Sequence, residues 1–531
     1  MSSNPMCAIN PSSVMNQLCV SPRGRSCARF SLALFVTATV AFAAIPARAQ
    51  TWNVAGGGTW TNAANWNPAS VPNAVGAGAT FISSSPAQTA SRSVTTDAAV
   101  TVGSITFNPD VASTTNNTTI ATGTGGSITF DETAGSATLN FPTAVGSGRL
   151  IISAPMVLND SVVATVDNVS AVSAAGACDL TGTMSGTGGF TKLGLGLGTF
   201  GTGAKTFTGA CNINAGRMRI SNAARPQNTS GLTVNTGGQI DLIAAGTYTF
   251  GTGPLTLNGA GPTSGPFSPF PGALRPDTGL VITINNDVVL ASDAMIHMQG
   301  SASGVLTLAG IVSGPGKLTY TSIPHDANLG QLVLNGANTY SGGTLINGGT
   351  LVLSGASATL GSGDVTVVSA NAAFGGASAK LSIQSGVLNA IADTATLSLA
   401  GGNAAGVADD GYADLGAGAN EVVGKLVLAG VTQPAGTYGS TASPAEHQSD
   451  EFFSGTGIIT ALYPPVLTIA RSDPNVILSW PTNNNDGFVL QAEAALTGGW
   501  TNDTHTVVVS GTNNTVTEPS SSAALFFRLK K

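Results

Sequence analysis

The densest acidic run in the chain is Asp409-Asp410-Gly-Tyr-Ala-Asp414. Three carboxylates beside a glycine turn offer the oxygen ligands that calcium takes, but the spacing fits neither an EF-hand loop nor a glycine-rich calcium repeat, and a solvated loop is the competing reading. Polysaccharide cleavage would need two or more carboxylates, or carboxylates with Arg or Lys, converging on one face. The adjacent pairs Asp131-Glu132 and Asp450-Glu451 do not supply this, because neighbours on a strand point to opposite sides. His297, His325, His447 and His505 are scattered and none sits in HExxH; no GxSxG elbow occurs; and Gly316-Lys317 and Gly424-Lys425 are each followed by Leu, not by the Ser or Thr of a phosphate loop. The residues therefore assign no catalytic group and no cofactor, and leave Asp409, Asp410 and Asp414 as a weak calcium candidate.

Two other groups carry chemistry. Trp52, Trp60 and Trp66 lie close together near the start, where they would either stack on sugar rings or plug the open end of the fold. Cys178 and Cys211 are a candidate disulfide if the chain reaches an oxidising compartment, against the alternative of two small buried residues.

The elements that must position these groups are strands. Only 8% of the 531 residues are charged, while 42% are hydrophobic and 69 are Gly. That is too apolar for disorder and too poor in Glu, Lys and Arg for long amphipathic helices or coiled coils. The first 49 residues lack Asp and Glu, carry Arg23, Arg25 and Arg29, run apolar from Phe30 to Ile45 and end in Ala47-Arg48-Ala49, the pattern of a secretory signal peptide. Without them the chain keeps 15 Lys and Arg against 26 Asp and Glu, a net charge of −11, which argues against nucleic acid as a partner. No later stretch is long and apolar enough for a transmembrane helix.

Short alternating runs closed by Gly or Asn recur, such as Gln331-Leu-Val-Leu-Asn-Gly336, Thr350-Leu-Val-Leu-Ser-Gly355 and Lys425-Leu-Val-Leu-Ala-Gly430. Such runs read as strands burying one face. They also repeat. Leu180–Thr191 lies over Leu308–Thr319, Ala204–Gly209 over Ala337–Gly342, Ile213–Gly216 over Ile346–Gly349 and Met218–Ser221 over Leu351–Ser354, with Cys211 in the place of Thr344. Self-similar units of short strands bury their apolar face by stacking, which predicts a parallel β-helix of roughly 20–25 residues per rung. An array of β-sandwiches with Asn-Gly hairpin turns is the competing architecture.

The stretch Gly336-Ala-Asn-Thr-Tyr-Ser-Gly-Gly-Thr344 and its surroundings resemble the autotransporter-associated β-strand repeat, also called the passenger-associated transport repeat; the copy at 203–221 is degraded. The resemblance implies a right-handed β-helix in a bacterial cell-envelope or secreted protein, and no catalytic residue. Only 68 residues follow Tyr463 and the chain ends Phe-Phe-Arg-Leu-Lys-Lys531, so the expectation is a passenger without a barrel of its own, its route beyond the inner membrane unassigned. After Pro464-Pro465, runs at 466–470, 476–480, 488–491, 506–510 and 525–529 around Trp480 and Trp500 suggest a small β-sandwich, resembling C-terminal modules of secreted bacterial proteins.

The expected organisation is an all-β chain: a signal peptide (1–49), an N-terminal cap with the Trp motifs (50–110), a β-helix with repeat copies near 180–221 and 308–354 (111–462), and a β-sandwich-like module (463–531). The expected function is that of an exported, non-enzymatic surface or secreted protein, structural or adhesive, meeting extracellular glycan, matrix or cell-surface components. A polysaccharide-binding or polysaccharide-degrading β-helix is the alternative.

Overall fold

The computed structural model describes residues 49–531 apart from 112–114, 171–175, 300–302, 324–329, 370–377, 403, 463–464, 466, 483–487, 497, 512, 521–523 and 531, so the expected leader falls almost wholly outside the described residues. Within this range the chain is all-β, with two short 3-10 turns and no α-helix. No helix there is long and apolar enough to cross a membrane.

The alternating runs form strands that pair in parallel with their counterparts one turn later. Gly304–Leu308 pairs with Gly330–Leu334, that strand with Gly349–Leu353, and that one with Ala379–Ile383. In each, alternate side chains such as Leu332 and Leu334 are fully buried, worth about 1.5–3 kcal/mol each before the entropy of ordering is subtracted. The result is a three-sided parallel β-helix. The first side runs through Val162–Val166, Phe190–Leu193, Cys211–Ile213 and Leu232–Val234. The second runs through Cys178–Leu180, Leu197–Phe200, Gly216–Ile220 and Gly238–Leu242. A four-stranded and an eight-stranded sheet carry the third. The hydrophobic array does not adopt the competing sandwich architecture.

Rung length is less regular than the periodicity implies. Phe190 pairs with Cys211 and Cys211 with Leu232, 21 residues apart each time, but Ser104 pairs with Thr138, 34 residues on. Long rungs carry loops at their corners. Stacking also begins earlier than residue 111, because Gln50–Trp52 already pairs in parallel with Gly78–Ile82 and that strand with Ser104–Asn108. Residues 50–110 are thus rungs of the coil.

The repeat copies occupy corresponding corners on different sides. Cys211–Ile213 lies on the first side, whereas Thr344–Ile346 stacks on Leu318–Ile323, which continues the second. Both copies turn the corner through a glycine in the left-handed region, Gly216 at φ 63° and Gly349 at φ 76°. A Cβ at Gly216 would stand 2.6 Å from the Gly194 carbonyl oxygen, so the turn excludes any side chain.

The last segment forms two antiparallel sheets. One contains Thr468–Ser472, Asn475–Pro481, Asn513–Pro519 and Val508–Ser510, the other Thr501–Asn502, Val489–Glu493 and Phe526–Lys530. Leu478, Trp480, Leu490 and Val516 make its core. The strand Asn513–Pro519 was not expected, since Asn-Asn-Thr-Val-Thr-Glu-Pro points one apolar side chain, Val516, inward and hides Asn514 and Glu518 beside it.

Candidate functional site

The three N-terminal tryptophans are core residues. Trp52 and Trp60 are fully buried, Trp66 nearly so. Their rings meet edge-on at centroid distances of 5.1 Å (Trp52 to Trp66) and 4.9 Å (Trp60 to Trp66), and all three pack on Phe81. Trp60 donates its indole N–H to the Pro72 carbonyl at 3.1 Å, and Trp66 donates to the Trp60 carbonyl at 2.8 Å. With ring faces and polar tips both occupied, Trp52, Trp60 and Trp66 cannot stack on a sugar, and the glycan-contact reading is corrected to that of an end plug.

The acidic run does not form a cation site either. Asp410 is fully buried and accepts the backbone N–H groups of Ala379 (2.6 Å) and Gly411 (2.9 Å). Asp409 accepts from Ala404 at 3.2 Å within its own loop. Asp414 sits between Ser382 and Ser454 in the stacked register and accepts both hydroxyls, at 3.3 and 2.8 Å. Each carboxylate serves a different structural partner, so Asp409, Asp410 and Asp414 are not assembled for calcium.

Cys178 and Cys211 are free, buried thiols, which corrects the candidate disulfide. Cys178 is on the second side and pairs with Gly198 one turn later; Cys211 follows on the first side, two sides further along the coil. That path rises about 8 Å, beyond the reach of a disulfide. Burial holds both thiols well above the ordinary range, so they are protonated and inert. The repeat explains the second cysteine. In the later copy Tyr340 and Thr344, both buried, hydrogen-bond through their hydroxyls at 2.6 Å; in the earlier copy the same positions are Phe207 and Cys211, both buried, and both hydroxyls are gone. The exchange is coupled: Phe207→Tyr alone should lose about 1–3 kcal/mol for a buried hydroxyl facing a thiol, and adding Cys211→Thr should restore most of it. Denaturant midpoints of the two singles and the double test this; an additive cycle would break the correspondence.

Two lysines point inward. Lys192 donates from Nζ to the carbonyls of Gly194 (2.6 Å) and Ala215 (2.9 Å), and Lys205 to those of Gly182 (2.8 Å) and Gly203 (2.5 Å). They tie down corner carbonyls, as Asn338, the repeat equivalent of Lys205, does by donating to Thr359 at 2.7 Å. Burial pushes both ammonium groups from 10.5 down to about 7. The unfolded chain keeps these protons up to about pH 10.5, so it binds more protons than the folded chain between 7 and 10.5, and stability rises with pH across that window. The slope reaches about 1.4 kcal/mol per pH unit for each lysine. Urea midpoints at pH 7 and 8, below the range in which the unfolded thiols titrate and oppose the trend, should differ accordingly, and the difference should shrink in Lys192→Met/Lys205→Met.

The largest charge cluster was not visible in the sequence. Asp241, fully buried, receives Arg275 at 2.6 Å, Arg219 at 3.2 Å and Arg217 at 3.9 Å, and Arg219 also reaches Asp277 at 3.2 Å. Stacked register builds it: Arg219 pairs with Asp241 and Asp241 with Arg275. Phe267, on the loop between Leu255–Gly259 and Leu274–Pro276, lies 4.5 Å from the Arg217 guanidinium, and Phe270 lies 5.6 Å from both Arg217 and Arg275. Gln239, fully buried, joins the loop to the network, accepting from Arg217 and donating to the Phe270 and Gly272 carbonyls. Positions that would face solvent on a bare rung are closed over, and three guanidinium groups surround the carboxylate. This is an ion-paired clasp, with no free acid to donate a proton.

One strip of open surface is uncharged. Thr191, Asn212, Thr233 and Thr256 follow one another up the outer first side, each half-buried. A groove of about 500 Å³ beside Thr249, Asn285 and Ser313 holds a single carboxylate, Asp287, whose oxygen accepts the Ile311 N–H at 2.8 Å. Of the histidines, His297 is buried, His447 stacks on Tyr438 and His325 lies outside the described residues. His505 belongs to a cluster in the C-terminal module with Asp503 and Glu518, unrecognised in the sequence. Burial and the neighbouring Asp503 carboxylate raise the Glu518 carboxyl above its ordinary range.

The passenger-associated transport repeat matches this chain twice, at residues 190–220 and 327–353. The chain therefore carries two such repeats, on the corners described above. No curated protein and no solved structure matches it.

Proposed function

We propose that the chain is an exported, non-enzymatic protein, a passenger-like β-helix whose polar flank meets extracellular glycan, matrix or the surface of another cell in a structural or adhesive role. The observation that carries this reading is the pair of passenger-associated repeats on a parallel coil, since that repeat belongs to autotransporter-type secreted or surface proteins. The state of the acids supports it. Cleavage of a polysaccharide requires carboxylates free to exchange protons, whereas Asp241, Asp410, Asp414 and Asp287 are each held by guanidinium, backbone or hydroxyl donors. Hydroxyl and amide ladders such as Thr191–Asn212–Thr233–Thr256 offer repeated hydrogen-bonding positions at the ~4.8 Å spacing of the rungs, suited to binding along an extended polymer. Fractionating the native cell with an antibody to this chain should find it at the cell surface or in the medium. A cytoplasmic location overturns the reading, and release of reducing ends or unsaturated sugars from a polysaccharide panel would replace it with the polysaccharide-degrading one.

A further inference from the structure

The C-terminal module holds two buried carboxylates that face one imidazole. Asp503 follows the short strand Thr501–Asn502 of the three-stranded sheet, and Glu518 lies on Asn513–Pro519 of the four-stranded one. His505 Nδ1 stands 3.1 Å from an Asp503 oxygen and 2.6 Å from a Glu518 oxygen. The two acid side chains are 7% and 6% exposed, the imidazole 46%. All three ligand atoms lie within 4.8 Å of one another. Asp503 is fixed from behind: its backbone N–H donates to the Leu490 carbonyl at 2.8 Å and its carboxylate accepts the His505 N–H at 2.8 Å.

Two carboxylates taken out of water are compensated by a cation or by a proton taken up between them, and a metal ion binds there by displacing that proton. Among the described residues, His505 is the only basic side chain paired with either; Arg471 pairs with Asp473, and Arg528 stacks on Trp500. A second observation points the same way. Trp480, 3% exposed, forms a wall of a cavity of about 200 Å³ shared with Asp503 and His505, and its indole N–H has no hydrogen-bond partner among the described residues. A donor in that position can bond to a metal-bound water. One imidazole nitrogen with two carboxylate oxygens suits zinc better than calcium, which takes six to eight oxygens. Tetrahedral zinc with bonds of about 2.0–2.1 Å sets its ligand atoms about 3.3 Å apart, so the observed 2.6 and 3.1 Å need to open by only tenths of an ångström. The half-exposed imidazole leaves the remaining position open to solvent.

We propose that Asp503, His505 and Glu518 form a zinc site that clips the two sheets of the C-terminal module together. The clip has a structural reason: the module's core is four residues, Leu478, Trp480, Leu490 and Val516, and small domains with so little core commonly add a metal.

The test is zinc alone, dialysed against the untagged full-length protein and measured by elemental analysis. The expected result is one bound zinc per chain, at least tenfold weaker in His505→Ala and in Glu518→Gln, with millimolar calcium failing to displace it. His505 is half-exposed, so His505→Ala should leave the fold intact, which Trp480 and Trp500 fluorescence reports. Cobalt in the unaltered protein gives an independent reading that needs no variant, since a four-coordinate site yields strong visible bands. Zinc retained equally by His505→Ala, displacement by calcium, or no visible cobalt bands each overturns the assignment.

Discussion

Asp241→Ala is expected to destabilise the coil by about 3–5 kcal/mol, because it strands the Arg217 and Arg275 guanidiniums around a buried position and leaves Arg219 only Asp277. Arg275 would lose its 2.6 Å partner while only 4% exposed. Hydrogen exchange over 216–220, 238–242 and 274–276 is the appropriate measurement, since stability in a stacked coil is held locally between neighbouring rungs. Asp414→Ala is the control: its partners are two serine hydroxyls at a half-buried position, and about 1 kcal/mol is expected. Replacing the buried part of the cluster, Arg217→Met/Asp241→Leu/Arg275→Met, which keeps the Arg219–Asp277 pair, should return most of the loss, because desolvated ions gain little over packed apolar side chains. A loss in Asp241→Ala no larger than in the control would mean the guanidiniums find water, and that the Phe267 and Phe270 loop does not seal the cluster.

Trp66→Ala should cost about 3–5 kcal/mol through the cavity it leaves. Trp66 touches Trp52, Trp60 and Phe81 at once and donates the 2.8 Å bond to the Trp60 carbonyl. The effect should stay at one end: loss of amide protection in the strands at 50–52, 78–82 and 104–108, fading over the next rungs. Unchanged protection there, combined with lost binding to a glycan, would restore the sugar-stacking reading of these rings.

The coil was legible because its signals are local. Alternation in Gln331-Leu-Val-Leu and glycine at the turns follow from strand pleat and left-handed corners, and both survive in one sequence. The alignment that put Cys211 over Thr344 even placed a buried side chain correctly. The clasp around Asp241 was not legible, since Arg219, Asp241 and Arg275 meet only through register, and the loop carrying Phe267 and Phe270 lengthens the rung between the last two and hides their spacing. For the tryptophans the sequence leaves sugar stacking and plugging both open, and only their burial decides between them. In the C-terminal module, Asp503-Thr-His505 has the two-residue spacing that puts both side chains on one face of an extended chain; Glu518 joins it from a strand whose polar sequence reads as loop.

The placement of the two repeat copies on different sides has a bearing on how such a chain lengthens. From Ile213 to Ile346 the path covers five full turns and one further side. A duplicated segment therefore need not contain a whole number of turns to be accommodated. One corner with its two flanking strands is interchangeable among the three sides, so growth can proceed in thirds of a turn, and insertions that would throw a two-sided sandwich out of phase are absorbed here by rotation.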